Sequence, residues 1–186
     1  LNTAIAYNPN RVTPEEVKIL AADWWGLADP RFKGRIAISG LSSSSSGPGF
    51  VGNVLHDLGE EKGHEFLKKL ATQKVANVNA ASRVVADQVI AGEYAIALQI
   101  FNNHAPISKA RGAPIDWIPM EPAMTVMCVM SVVKGAPHPN AAKLLFEFIV
   151  SDEGQAIMAR SGELPVAPGV RATTPELRPQ DGGFRA

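Results

Sequence analysis

Short apolar segments alternate with amphipathic segments of about ten residues along most of this chain. The apolar segments are bounded by Gly, Pro and Asn, and they have the length and composition of β-strands. Strands that alternate with helices of this length predict an α/β fold with helices on both faces of the sheet. The predicted strands are Thr3–Tyr7, Arg35–Ser39, Val75–Asn79, Tyr94–Phe101, Ile115–Ile118 and Thr125–Val133.

Capping signals mark several of the helices between these strands. Thr13, Pro14 and Glu16 form a capping box with proline at the first helical position. Gly92 is placed to close a helix over residues 82–91. The first predicted helix starts at Pro14 and ends before Pro30, and a second helical region spans residues 50–73 with breaks at Gly59 and Gly63. Further helices are predicted over Ser82–Ala91, Pro139–Val150 and Asp152–Ser161.

Charge and cysteine content exclude several classes of protein. The 18 basic and 18 acidic residues cancel, which argues against a nucleic-acid binder and against a polybasic membrane-surface protein. The apolar segment 126–133 is far shorter than the ~20 residues that span a bilayer. The single cysteine, Cys128, cannot form an intramolecular disulfide or a cysteine zinc site, and its apolar flanks predict a buried, inert thiol. We predict no cofactor, metal site or catalytic residue.

A serine run is the first candidate binding segment. It lies between a predicted strand and a predicted helix, where hydroxyls and unpartnered backbone N–H groups can hold an anion. A flexible polar loop is the alternative. The nearby Gly47–Gly52 segment has the spacing of a dinucleotide-binding motif but starts too far beyond the strand end. The serines are Ser42, Ser43, Ser44, Ser45 and Ser46.

Polar residues also follow two other predicted strands. Ligands in open α/β sheets bind outside the carboxyl ends of strands, so these residues are candidate ligand contacts. The alternatives are a turn capped by asparagine side chains and, at residue 82, a helix N-cap. For the tryptophans Trp24, Trp25 and Trp117, core packing is the favoured interpretation over ligand stacking. The candidates are Asn79, Ser82, Asn102, Asn103 and His104.

Several segments together resemble the periplasmic substrate-binding proteins of ABC importers, in the family 1, type II branch that includes ferric-iron binders. The resemblance covers about residues 3–170, with the segments in the order and spacing of the family. They are 6–9 (AYNP), 27–37 (LADPRFKGRIA), 91–96 (AGEYAI), 109–114 (KARGAP), 136–143 (APHPNAAK) and 151–155 (SDEGQ).

The resemblance implies that this chain is the carboxyl-terminal portion of a secreted, two-lobed protein. Residues 1–118 would form most of the second lobe, 119–160 would return to the first lobe, and 161–186 would pack back on the second. Most of the first lobe and the secretion signal would be missing. Periplasmic localisation and a membrane permease partner are implied as well. The uncovered half-cleft of such a chain could also mediate dimerisation. If residues 119–160 lack the lobe on which they pack, we expect exposed apolar side chains at Leu144, Leu145, Phe148 and Ile149.

In iron-binding relatives a tandem tyrosine pair follows the strand that here begins at Tyr94. Ala105 and Pro106 occupy those positions, and the other tyrosine, Tyr7, lies elsewhere in the sequence. The anion-holding positions look retained, namely the serine run, Asn79 and Asn103. We therefore expect a binder of a small anionic solute such as a phosphonate, phosphate ester or carboxylate, alone or with a metal. The alternatives are an α/β phosphate-handling enzyme that uses the serine run and a ferric-iron binder with atypical ligands.

Overall fold

A computed structural model describes residues 1–40 and 46–186, and the description of residue 46 is limited to its backbone. The chain divides into a larger unit, Asn2–Thr125 with Phe184–Ala186, and a smaller unit, Leu1 with Val126–Gly183. The strands are β1 Thr3–Tyr7, β2 Ile36–Ser39, β3 Ala76–Val78, β4 Ile96–Phe101 and β5 Asp116–Pro119. The α-helices are α1 Pro14–Leu20, α2 Ser46–Leu58, α3 Glu60–Ala71, α4 Ser82–Ala91, α5 His104–Lys109, α6 Pro139–Val150, α7 Asp152–Arg160 and α8 Pro179–Gly182.

The larger unit is built on a mixed five-stranded sheet with the order β3-β2-β4-β1-β5. β2 pairs in parallel with both β3 and β4, whereas β1 is antiparallel to β4 and to β5. The carboxyl ends of β2, β3, β4 and β5 therefore lie at one edge of the sheet. The start of β1 lies at the same edge.

Helices cover both faces of this sheet, as predicted. On the first face, side chains of α1, α2 and α3 pack against Ile5, Ile36 and Leu98 in one buried cluster. On the second face, small side chains of α4 and α5 pack against Ala97 and Ile100 in another. The mixed α/β architecture expected from the sequence is confirmed.

The capping signals position α1 and α4 as expected. The Thr13 side chain accepts a hydrogen bond from the Glu16 backbone N–H, and the Glu16 carboxylate accepts one from the Thr13 backbone N–H. Gly92 ends α4 with φ of +81°, a left-handed conformation that a residue without a Cβ adopts at no steric cost. Trp24 is buried in the first cluster, so the core-packing interpretation is confirmed for this residue.

Three sequence expectations are wrong: a helix break, a strand and the burial of the cysteine. Gly59 separates α2 from α3, but Gly63 lies inside α3, where it packs closely against Leu55. The predicted strand 125–133 is absent, because Thr125 makes only a single antiparallel bridge, to Asn2. β-propensity alone does not make a strand without a partner. Cys128, expected to be buried, is exposed.

The smaller unit contains α6, α7 and α8, and its apolar residues are poorly covered. On α6, Leu144 is 69% exposed and Leu145 is 58% exposed, and Phe148 is also exposed, as expected from the sequence. Ile149, expected to be exposed with them, is half-buried. Of the tail predicted to pack back on the second lobe, residues 161–183 group with the smaller unit and Phe184–Ala186 with the larger one.

Candidate functional site

The ends of three neighbouring parallel strands bring polar residues to one edge of the larger unit. β2 ends at Ser39, β3 ends directly before Asn79, and β4 ends directly before Asn102. The strand order places β2 between β3 and β4, with Ser39 opposite Val78 in the register. The sequence candidates Asn79 and Asn102 therefore belong to one edge, although they are 23 positions apart in the chain.

A crevice is expected between β2 and β4 at this edge. After β2 the chain continues to α2, which packs on the first face, and after β4 it continues to α5 on the second face. Adjacent parallel strands whose connections leave to opposite faces form a topological switch point, where open α/β sheets bind ligands. The fold thus provides a candidate site from backbone topology alone.

Tight backbone contacts shape the β2–β3 side of the site. The Ser39 hydroxyl donates to the Ala80 carbonyl at 2.6 Å, and the Gly40 N–H donates to the Val78 carbonyl at 2.7 Å. A Cβ on Gly40 would overlap the side chain of Asn77, so a larger residue there would displace that exposed side chain. These contacts leave Asn79 exposed beside the strand end.

The N-cap interpretation of Ser82 is wrong. The N-cap of α4 is Ala81, which makes no side-chain cap, and Ser82 is the first helical residue and is buried. The turn that starts α4 is held instead by backbone bonds, including Ala80 N–H to the Val78 carbonyl at 2.8 Å. A side-chain cap is therefore not what sets the start of this helix.

The β4 side of the site is tied to the segments where the chain enters and leaves the larger unit. The Asn102 backbone N–H donates to the Asn2 carbonyl at 2.9 Å, and the Asn2 N–H donates to Oδ1 of Asn102 at 3.3 Å. The Thr125 hydroxyl donates to Oδ1 of Asn2 at 2.7 Å. Asn102 and Asn103 are both buried. Asn103 is the N-cap residue of α5, and its side chain makes no cap hydrogen bond to this helix.

Sequence reasoning missed a bulge in β4. The β1–β4 register shifts between Ala4 and Ala6, and on the opposite strand Gln99 has φ of +56°. Gln99 is 1% exposed, and its amide has no hydrogen-bond partner among the described residues. A glutamine inside an otherwise apolar strand was the available signal. The extra residue bends β4 and changes the direction of its carboxyl end, as bulges beside binding sites do.

The serine run cannot be placed. Ser42, Ser43, Ser44 and Ser45 lie outside the described residues, and only the backbone of Ser46 is described, as the first residue of α2. Their role in anion binding stays a prediction. The described neighbours, Gly40 and Gly47, flank the run at the β2 end of the candidate site.

His104 begins α5 at the β4 side of the site and is largely shielded from solvent. Its ring lies edge-on to Phe101, with centroids 5.6 Å apart, and Nδ1 has no hydrogen-bond partner among the described residues. Burial, with a smaller contribution from the Arg83 guanidinium, lowers the pKa of His104 from 6.5 to about 4, and Asp87 opposes this shift. The imidazole is therefore neutral at neutral pH, and it adds no positive charge to the site.

This shift predicts a pH-dependent stability that His104→Gln removes. Between pH 6.5 and 4 the unfolded chain binds the proton and the folded chain does not, so stability falls as the pH falls through this window. After allowance for partial exposure, the free energy of unfolding should drop by about 2 kcal/mol more in the wild type than in the variant between pH 7 and 4.5. Urea unfolding at both pH values measures this difference, and equal drops would contradict it.

Comparison with known proteins decides the family. The model of the bacterial extracellular solute-binding protein family matches residues 2–181. The chain belongs to this family. The resemblance expected from the sequence motifs is thereby confirmed.

The names of the relatives of this solute-binding protein indicate different solutes. "Iron uptake protein A1" of Synechocystis sp. is 30% identical over 179 residues, which cover 89% of this chain and 48% of that protein. The "Putative 2-aminoethylphosphonate-binding periplasmic protein" of Salmonella typhimurium is 26% identical over 178 residues, covering 91% of this chain and 50% of that protein. The chain thus spans about half the length of the curated relatives it matches. Neither of these two names describes an enzyme.

Solved structures show the same fold. The periplasmic binding protein P5PA matches with a TM-score of 0.72 at 23% identity, over 97% of this chain and 57% of that one. A ferric binding protein from Campylobacter jejuni matches with a TM-score of 0.71 at 22% identity, over 99% and 60%. AfuA from Actinobacillus pleuropneumoniae, solved with fructose-6-phosphate, matches at 0.69 and 23%, over 93% and 57%. The fold prediction of a periplasmic-binding-protein lobe is confirmed.

The tyrosines of this solute-binding protein lie far from the candidate site. Tyr7 is paired with Ile96 at the start of β4, and Tyr94 precedes that strand. At about 3.3 Å per residue, β4 separates Tyr94 from Asn102 by roughly 20–25 Å. Within residues 1–40 and 46–186, no group of three or more His, Cys, Asp or Glu side chains is placed to hold a metal ion. In the same ranges, no helix is long and apolar enough to cross a membrane.

Proposed function

We propose that this chain is part of the solute-binding component of an ABC import system that captures a small anionic solute in the periplasm. The solute would be a phosphonate, phosphate ester or carboxylate, held at the carboxyl edge of β2, β3 and β4 and passed to a membrane permease. The observation that carries the proposal is the convergence of these three strand ends at a topological switch point. No step in this function requires a cofactor or a catalytic residue.

The chemistry of this edge favours an anion held by neutral donors. Asn79 and Asn103 are candidate amide donors at the ends of β3 and β4, and the serine run between β2 and α2 would add hydroxyls. The start of a 13-residue helix adds backbone N–H groups and the positive end of its dipole. Hydrogen bonds from neutral groups to an anionic oxygen are about twice as strong as those between neutral groups. The phosphonate named for one relative and the sugar phosphate bound to AfuA both carry such an anion.

A lobe assignment extends this proposal, and the division of the chain into two units agrees with it only in part, because residues 161–183 group with residues 126–160 and not with the larger unit. Residues 1–118 would be the bulk of the second lobe, 119–160 would belong to the first lobe, and 161–186 would return to the second. The half of the relatives' length that this chain does not span would then supply the rest of the first lobe. The solute would bind between the two lobes, with this chain providing one wall.

Two alternatives are less well supported by the described residues. Ferric-iron binding through tyrosinate would need phenolates at the site, and both tyrosines lie at the opposite edge of the sheet. A phosphate-handling enzyme would need an activated nucleophile. Nδ1 of His104, the imidazole nitrogen buried beside the edge, has no hydrogen-bond partner in the described part of the chain, so no described hydroxyl is paired with it.

Removing two serine hydroxyls should weaken anion binding without abolishing it. If Ser44 and Ser45 both donate to the solute, Ser44→Ala/Ser45→Ala costs about 1–3 kcal/mol of binding free energy, because charge-assisted hydrogen bonds have this size. Backbone N–H groups remain in the variant. Calorimetry with methylphosphonate measures the change, and Ser161→Ala, which alters a serine that follows α7 in the smaller unit, is the control.

Unchanged affinity in the double variant would contradict the role of the hydroxyls. If the wild-type chain bound neither methylphosphonate, inorganic phosphate nor acetate, the anion proposal itself would be contradicted.

Ferric citrate added to the same protein should produce no tyrosinate charge-transfer band. A stoichiometric visible band would favour the iron alternative instead.

A further inference from the structure

An apolar groove opens beside the candidate site within the larger unit. It has a volume of about 450 Å³ and runs between the first turns of α2, the second half of α3, and strands β2 and β3. This volume is in the range of small-molecule sites, which are concave and mostly apolar with a few polar groups. Its described lining residues are Ile38, Ser39, Gly40, Gly47, Pro48, Phe50, Val51, Leu67, Leu70, Ala71, Val75, Asn77 and Leu98.

The groove has a polar end and an apolar end. The polar end consists of Ser39, Gly40 and Asn77, which lie at or near the carboxyl ends of β2 and β3, where the candidate site begins. Leu67 and Leu70 of α3 line the apolar part. None of the described lining residues carries an ionisable side chain. The groove therefore suits an uncharged, apolar group attached to a charged one that stays at the strand ends.

Exposure differs between the deep and outer parts of the groove. Phe50 and Leu98 are buried beneath it, while Val51, on the same turn of α2 as Phe50, is 41% exposed. Covering an exposed apolar wall of this kind is favourable by roughly 25 cal/mol per Å² removed from water. A ligand with an apolar group would gain this contribution to its binding free energy. Inorganic phosphate, or a sugar phosphate without an apolar substituent, would not.

We propose that the groove receives the apolar body of the solute, whose anionic head lies at the edge of β2, β3 and β4. The inference rests on the proposed function and narrows its substrate class. The solute is a small organic anion with one anionic group and an attached ring or branched alkyl group. Its head is held by neutral hydrogen-bond donors at the strand ends, and its body packs against α2 and α3.

Two phosphonates with the same head and different bodies test the proposal. NMR titration of the 15N-labelled 186-residue chain with benzylphosphonate and with methylphosphonate gives both dissociation constants. Benzylphosphonate should bind at least about tenfold more tightly, the lower end of what burying one aromatic ring contributes. Signals of Leu67, Leu70 and Ala71, the residues of α3 that line the groove, should shift with benzylphosphonate only.

Matched valine variants locate the apolar subsite. Val51→Phe fills the groove and should reduce the affinity ratio of the two phosphonates to below about threefold. Val84→Phe makes the same change at a valine on α4 that is 44% exposed and lies outside the groove, and it should keep the wild-type ratio. Circular dichroism spectra of both variants show whether they are folded as the wild type.

The possible outcomes distinguish a failure of the groove assignment from a failure of the proposed anion-binding function. Equal affinities for the two phosphonates in the wild-type chain would overturn the groove assignment and leave anion binding intact. A similar fall in the ratio for Val51→Phe and Val84→Phe would also overturn it. Binding of neither phosphonate would overturn the proposed anion function, and the groove assignment that rests on it.

Discussion

At micromolar concentration this chain should run as a dimer or a larger assembly rather than as a 19.8 kDa monomer. Leu144, Leu145 and Phe148 are exposed on α6, and Met127 and Val129 are 81% and 91% exposed in the segment before it. Apolar patches beyond a few hundred Å² are unusual on soluble monomers. Burial of this surface against a second copy is the simplest way to cover it within a homogeneous sample.

A double charge substitution on α6 should break this association. Each leucine buried at an interface contributes roughly 1.5–3 kcal/mol, so Leu144→Glu/Leu145→Glu should weaken dimerisation by roughly 100-fold or more. Light scattering over a dilution series measures the change. Val84→Glu, at an exposed valine on a helix of the larger unit, should have no effect on the assembly state.

The same surface distinguishes self-association from a missing lobe. If residues 119–160 belong to the first lobe, the separately produced amino-terminal half of the protein should bind this chain and replace the dimer with a one-to-one complex. The α6 double variant should lose that binding as well. A wild-type chain that is monomeric at micromolar concentration, without a companion peptide, would count against both the dimer and the proposed lobe assignment.

Phe66→Ala should cost about 3–5 kcal/mol of the free energy of unfolding, the range measured for large buried aromatics. Phe66 of α3 is fully buried, and its ring lies edge-on to Trp25 at 5.6 Å and to Trp24 at 6.1 Å. Phe50 of α2 is also in ring contact with it, at 6.5 Å. This aromatic cluster holds α2 and α3 against the first face of the sheet, and with them the α2 side of the candidate site.

Urea unfolding followed by circular dichroism measures this loss without relying on tryptophan fluorescence, which the substitution itself would alter. Phe66→Leu keeps most of the apolar volume and should cost less than about 1.5 kcal/mol. Val84→Ala, at an exposed position, should change stability by about 0.5 kcal/mol or less. A loss below about 1 kcal/mol for Phe66→Ala would show that the aromatic cluster does not hold these helices in place.

Several signals that act within a few residues were read correctly from the sequence, although the break at Gly63 and the N-cap at Ser82 were not. The capping box at Thr13 and Glu16 starts α1 as predicted, and Gly92 ends α4. The spacing of apolar residues predicted α6 over the same residues that the structure shows. Such features depend on contacts between residues that are close together in the chain, and these residues can be identified directly from the sequence.

Features that need a distant partner could not be predicted in this way. The segment 125–133 has strand-like residues, yet it forms no strand, because among the described residues it pairs with the start of the chain only through its first two residues. Thr125 bridges Asn2, and Val126 exchanges hydrogen bonds with Leu1. The buried state of Asn102 depends on Asn2, which is one hundred positions away. The bulge at Gln99 depends on its register with β1.

The sequence by itself determined the class of the fold, the main helices and the polar segments at the strand ends. Tertiary structure alone decided that the ends of β2, β3 and β4 meet at one edge and that an apolar groove opens beside them. It also decided which of the candidate asparagines is exposed. The physical reason is that strand order, register and burial arise from contacts between residues far apart in the chain, whereas helix periods and caps arise from contacts within one or two turns.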